Sequence, residues 1–180
     1  ALEFSDAIYL LNERGKEMQN AVPVGEGSMI AVLGTSIDEI NDLMKINVGT
    51  NEVCEIANDN AIGQVIVSGN KKSVSLFKKK LKEKNIKTIP LKVSAPFHCS
   101  LMKPASEKMK EKINNTKFKK LKFNVVHNVT AREESNLEII KKMLIDQIFS
   151  TVKWRESMFY MSSKGVKNFI EVGPGKALSG

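Results

Sequence analysis

The stretch "GQVIVSGNKKSVSLFKKKLKEK", residues 63–84, decides the fold. A short apolar run closing on Gly-Asn reads as a strand, and the lysine-rich half after it reads as a helix. Working outward, "SMIAVLGT" is strand-like and "SIDEINDLMKI" is helical with Ser36 as its cap. "VCEIAN" is a second strand, joined to "GQVIVSGN" by the turn "DNAIG", and "KTIPLKVSA" is extended. The order is strand-helix-strand-strand-helix-strand over residues 28–95, a ferredoxin-like βαββαβ unit, and it reads as a small domain inserted into a larger one. The same order occurs in RNA-recognition domains, whose third strand carries aromatic stacking residues; "GQVIVSGN" has none, which argues against RNA binding through the sheet.

The flanking segments are mostly helical. "FSDAIYLLNERGKEMQ" reads as a helix capped by Ser5, with Asp6 near its N-terminus and Ala7, Leu10, Leu11 and Met18 at spacings of three and four. Arg14 falls on that apolar stripe, where a guanidinium needs an anionic partner or a route to solvent; a bridge to Glu17 is the local candidate. Downstream, "KPASEKMKEKI" reads as a helix with Pro104 in its first turn and "KFNVVHNVT" as a strand. "NLEIIKKMLIDQIF" is a helix with Leu137, Ile140, Leu144 and Ile148 on one side. Gln147 points its amide toward that side, as a structural bridge or as the orienter of a catalytic group. A helix around "WRESMFYMSS", a buried strand "NFIEV" and a glycine turn "GPGKALSG" follow.

Composition narrows the chemistry. The 180 residues are 42% hydrophobic with a net charge of +8, a globular composition with a basic surface suited to an anionic partner. Two cysteines, Cys54 and Cys99, are too few for a disulfide framework and lack metal-site spacing, so a reducing compartment and no metal are expected. No apolar run approaches the roughly 20 residues of a membrane span, and no phosphate-cradling glycine motif is present. Of the two histidines, His127 sits in a strand pattern and reads as structural. His98, in "VSAPFHCSLMKP", residues 93–104, lies at an element junction where catalytic groups are placed.

"RGKEMQNAVPVGEGSMIAVLG", "NDNAIGQVIVSGN", "PLKVSAPFHCSLMKPA", "DQIFSTVKWRESM" and "EVGPGKALSG" together resemble, in order and spacing, the malonyl-CoA:acyl carrier protein transacylases of dissociated fatty acid synthesis. The resemblance implies part of an α/β-hydrolase-like domain carrying the ferredoxin-like insert. Residues 1–27 and 96–180 would then belong to the large domain and 28–95 to the small one. It implies acyl transfer from malonyl-CoA through a seryl ester to the phosphopantetheine thiol of acyl carrier protein, with no bound cofactor. His98 would move the protons, and Gln147 would supply an oxygen to its imidazole. Arg14 would clamp the malonate carboxylate. Phe97 resembles the phenylalanine of malonyl-selective domains, whose ring crowds an α-methyl branch. Asn60 and Gln64 match a polar loop near the cleft, and Asn60 is taken as a substrate-side residue.

The chain contains no G-x-S-x-G, which in the family lies upstream of the segment matching Ala1. The expectation is therefore a portion of a longer enzyme, which alone would bind and position without turning over. The competing expectation is a non-catalytic module that binds an acidic carrier protein. Family members are usually monomeric, and neither nucleic acid nor membrane is an expected partner. The lysine, asparagine and isoleucine bias fits an AT-rich genome, with the cytoplasm of a bacterium or a plastid stroma as the corresponding compartment.

Overall fold

The computed structural model describes residues 2–45, 52–173, 175, 176 and 178. Helix α1 (Phe4–Asn20) comes first, followed by β1 (Gly27–Leu33), α2 (Ile37–Lys45), β2 (Cys54–Ala61), β3 (Gln64–Asn70), α3 (Lys71–Glu83) and β4 (Lys87–Pro90). The four strands form one sheet in the order β2-β3-β1-β4, antiparallel throughout, which is the ferredoxin-like arrangement. Alternation along the strands separates two faces. Ile30, Val32, Val65 and Val67 point toward α2 and α3 and close a core with Ile40, Phe77 and Leu81. Met29, Ala31, Ala57 and Ile66 form a second cluster on the other side, against which Leu91 and Phe97 pack.

The second half contains a 3-10 turn (Ser100–Met102), α4 (Lys103–Asn115), the short hairpin β5 (Val126–His127) and β6 (Arg132–Glu133), α5 (Leu137–Asp146) and α6 (Trp154–Ser163). Helices α1, α4 and α5 share a third cluster built on Leu10, Met18, Met102, Met109, Ile113 and Ile148. Phe97 packs against this cluster as well as the sheet's second one, so its half-buried ring lies where the two regions meet. Gly27 is required at the same seam, because a Cβ there would overlap the Pro96 ring just ahead of His98. Strand β2 carries irregularities between Ile56 and Asn58 and between Asp59 and Ala61. Its free edge takes up Val152 in a parallel bridge to Asn58.

Several expectations are corrected. Helix α1 starts at Phe4 with Glu3 as N-cap and no side-chain cap bond, so Ser5 lies inside the helix. Arg14 does not bridge to Glu17, which instead holds Lys108 at 3.1 Å and Lys112 at 3.0 Å across the α1–α4 seam. Lysines from the facing helix take up the Glu17 carboxylate in place of the residue three positions before it. Only Val126–His127 of "KFNVVHNVT" is strand, and β4 is confined to Lys87–Pro90, with the Leu91 N–H still reaching the Met29 carbonyl at 3.0 Å. "NFIEV" forms no strand among the described residues: with no neighbouring backbone to pair, Ile170 is 87% exposed. Of the glycine turn "GPGKALSG", Pro174, Ala177, Ser179 and Gly180 lie outside the described residues.

Candidate active site

The loop between β4 and α4 presents His98 with φ of 58°, a left-handed backbone uncommon for a residue with a Cβ. Three attachments hold the loop there. Buried Cys99 donates its thiol to the Pro96 carbonyl at 3.2 Å and receives the Ser68 hydroxyl from β3 at 3.6 Å. Ser100 gives both its N–H (2.8 Å) and its hydroxyl (2.6 Å) to the two carboxylate oxygens of Glu55 on β2. The imidazole itself lies 3.0 Å, through Nδ1, from the main-chain carbonyl of Gln147 at the end of α5.

That last contact fixes the ring's chemistry. A carbonyl oxygen carries no proton, so Nδ1–H is the donor and, in the neutral ring, Nε2 holds the free lone pair. Burial lowers the His98 pKa below the ordinary histidine value; the Gln147 carbonyl opposes this, the nearby Arg14 guanidinium adds to it, and Ser150 backbone opposes it. The balance keeps the imidazole neutral near pH 7, the form that accepts a proton. It opens on a cleft of about 840 Å³ lined among others by Glu55, Ser100, Lys103, Ser150, Thr151 and Lys153.

Arg14 and Gln147 line a second cavity of about 410 Å³ walled by Leu10, Leu11, Met109, Ile113 and Leu144. Burial lowers the Arg14 pKa, and among the described residues no carboxylate pairs with it. A desolvated guanidinium in an apolar chamber is matched to a ligand carboxylate, which it can grip through two parallel N–H bonds.

The structure thus brings His98, Gln147 and Arg14 together, with one change of detail. The oxygen on the imidazole belongs to the Gln147 main chain, and half-buried Gln147 is also one of the residues lining the Arg14 cavity. Phe97, next to His98, lines neither cavity and packs into the seam. Asn60 falls in the second irregularity of β2 and lines neither of these two cavities. His127 is half-buried in the β5 hairpin with Nε2 unpartnered.

Two groups escaped the sequence reading. Glu55 anchors the His98 loop, and Asp59, 2% exposed, takes a bidentate bond from Arg155 of α6 at 2.8 to 3.0 Å. The available signal was two carboxylates inside a segment otherwise read as a strand, "CEIAND", where burial demands partners. Among the described residues no group of three or more His, Cys, Asp or Glu could hold a metal ion, and no helix is long and apolar enough to cross a membrane.

No family model matches the chain. The malonyl CoA-acyl carrier protein transacylase of Bacillus subtilis (strain 168) is 41% identical over 181 residues, matching 100% of this chain and 57% of that protein. The same-named protein of Staphylococcus aureus (strain COL) is 41% identical over 180 residues, covering 99% and 58%. Among solved structures, FabD from Acinetobacter baumannii superposes with a TM-score of 0.94 at 37% identity, over 99% of this chain and 57% of that one. A malonyl-transacylase in complex with its type II PKS acyl-carrier protein gives 0.94 at 35% identity, over 99% and 58%. In sequence and in fold, this chain is homologous along essentially its whole length to the malonyl CoA-acyl carrier protein transacylases, of which it spans a little more than half.

Proposed function

We propose that this chain supplies the proton-transfer and carboxylate-binding side of a malonyl transferase that moves malonyl from coenzyme A to an acidic acyl carrier protein. The observation that carries the reading is the Nδ1–H bond from His98 to the Gln147 carbonyl at 3.0 Å, with Arg14, which no carboxylate among the described residues pairs, in a cavity that Gln147 also lines. In the proposed reaction His98 Nε2 takes the proton of a serine hydroxyl outside these 180 residues as the oxygen attacks the malonyl thioester carbonyl. The C–S bond breaks, and the imidazolium returns the proton to the coenzyme A thiolate. The second half reverses the roles: the phosphopantetheine thiol loses its proton to His98, attacks the seryl ester, and the serine oxygen leaves with the proton. Arg14 holds the malonate carboxylate throughout, and the apolar walls around it strengthen that pairing by excluding water. In this reading residues 28–95 are a small domain carried by the larger one, and the enzyme works as a monomer, in the cytoplasm if the gene is bacterial.

The test is malonyl and acetyl transfer to carrier protein by the protein as expressed from its own gene. His98→Ala should lower kcat by about 10²- to 10⁴-fold. Arg14→Ala should abolish the preference for malonyl over acetyl, and unchanged selectivity would overturn the clamp. The second reading, a carrier-binding module without turnover, is favoured by Lys45, Lys103 and Lys153 around the cleft. It requires steeply salt-dependent carrier binding with no transfer by that full gene product.

A further inference from the structure

We propose that Glu55 is a positioning residue for His98, setting the imidazole against its acceptor by fixing the loop from β2. Both carboxylate oxygens of Glu55 are taken by Ser100, at 2.8 Å from the N–H and 2.6 Å from the hydroxyl, so Glu55 acts on the ring through the backbone and not by contact. The same strand also registers the other partner. The Thr151 hydroxyl donates to the Ile56 carbonyl at 2.6 Å, the Val152 N–H to the Ala57 carbonyl at 2.8 Å, and the Asp59 N–H to the Val152 carbonyl at 2.9 Å. Consecutive stations on β2 therefore hold the histidine loop and the segment following Gln147.

One stretch of extended chain thus bonds both to the loop that carries Nδ1 and to the segment that follows the Gln147 carbonyl. A doubly bonded carboxylate also supports the left-handed turn at His98, because it holds the Cys99–Ser100 peptide, one residue further on, in one orientation. Releasing Glu55 frees His98 to rotate away from Gln147, and the ring then loses the bond that dictates which nitrogen is basic.

The imidazole reports this directly. In the protein as expressed from its own gene, ¹⁵N spectra of His98 and His127, assigned with His98→Asn and His127→Asn variants, should show His98 protonated on Nδ1 and titrating below the ordinary value. In Glu55→Ala the Nδ1-protonated signature should give way to mixed tautomers, and the midpoint should rise to about 6.5. Glu55→Gln, which keeps an acceptor for the Ser100 N–H, should restore the signature. A folded Glu55→Ala variant with the tautomer and midpoint of the parent would overturn the proposal. Should that variant fail to fold, Ser100→Ala decides: a partial shift supports the role, and no shift overturns it. The proposal draws its catalytic meaning from the reading of His98 as proton carrier, but the spectra do not depend on it; loss of transfer in His98→Ala tests that reading separately.

Discussion

In the four-stranded unit Val32, Val67, Val74 and Leu81 are at most 1% exposed, whereas around the helices Phe4, Leu11, Ile170 and Val172 are 81%, 63%, 87% and 93% exposed. The difference lies in where each region finds its cover. The sheet's main core is closed by α2 and α3, elements adjacent in sequence to the strands they protect. The helical part closes one cluster between α1, α4 and α5 and leaves further apolar surface that nothing among the described residues covers. Mutational sensitivity should divide along the same line.

Phe77→Ala should give the largest effect, a loss of about 3–5 kcal/mol by denaturant unfolding, because the ring is 3% exposed in a closed core. Ile170→Ser, as large a change in polarity, should stay within about 0.5 kcal/mol. Equal losses at the two sites would erase the distinction.

Arg155→Ala tests the seam between the regions. It leaves the Asp59 carboxylate, whose side chain is 3% exposed, without its bidentate partner and should cost about 3 kcal/mol. Hydrogen exchange should show the Val152 amide, bonded to Ala57, losing protection before the β1–β3 ladder does. Simultaneous loss would mean the two regions unfold as one unit.

A smaller effect than the loss of Arg155 is that of acid. Both histidines lie outside the sheet unit, and burial lowers the pKa of each in the folded chain. The unfolded chain then binds more protons between the folded value and the unfolded value of about 6.5, so stability is complete above about pH 6.5 and falls as the pH drops below it. For His98 the slope should not exceed about 1.4 kcal/mol per pH unit. Exchange across this range should accelerate first around His98 and α5, and an early response in β1 and β3 would contradict the assignment.

The same division governs what could be read from the sequence. The sheet unit was legible because its signals are local: Ser36 does cap α2, accepting the Glu39 N–H at 3.1 Å, and each strand is bounded by a turn or a helix. Helices α4 to α6 were legible from their periodicity, and the β-like composition of "NFIEV" misled because a strand exists only where another backbone pairs with it. Within the site, Arg14 stood out as a charge on an apolar stripe, and His98 by its junction. Glu55 and Asp59 did not, since their partners Ser100 and Arg155 lie 45 and 96 positions away and nothing in either segment announces the pairing.

The acceptor that orients His98 is a peptide carbonyl, so it belongs to position 147 whatever residue stands there. Alanine scanning is blind to such a group, and sequence drift at 147 would be restrained by the Arg14 cavity alone, leaving the imidazole's alignment inherited from the path of the chain. Only a change in the backbone itself, such as an ester in place of the amide that follows Gln147, would weaken that oxygen and expose its contribution.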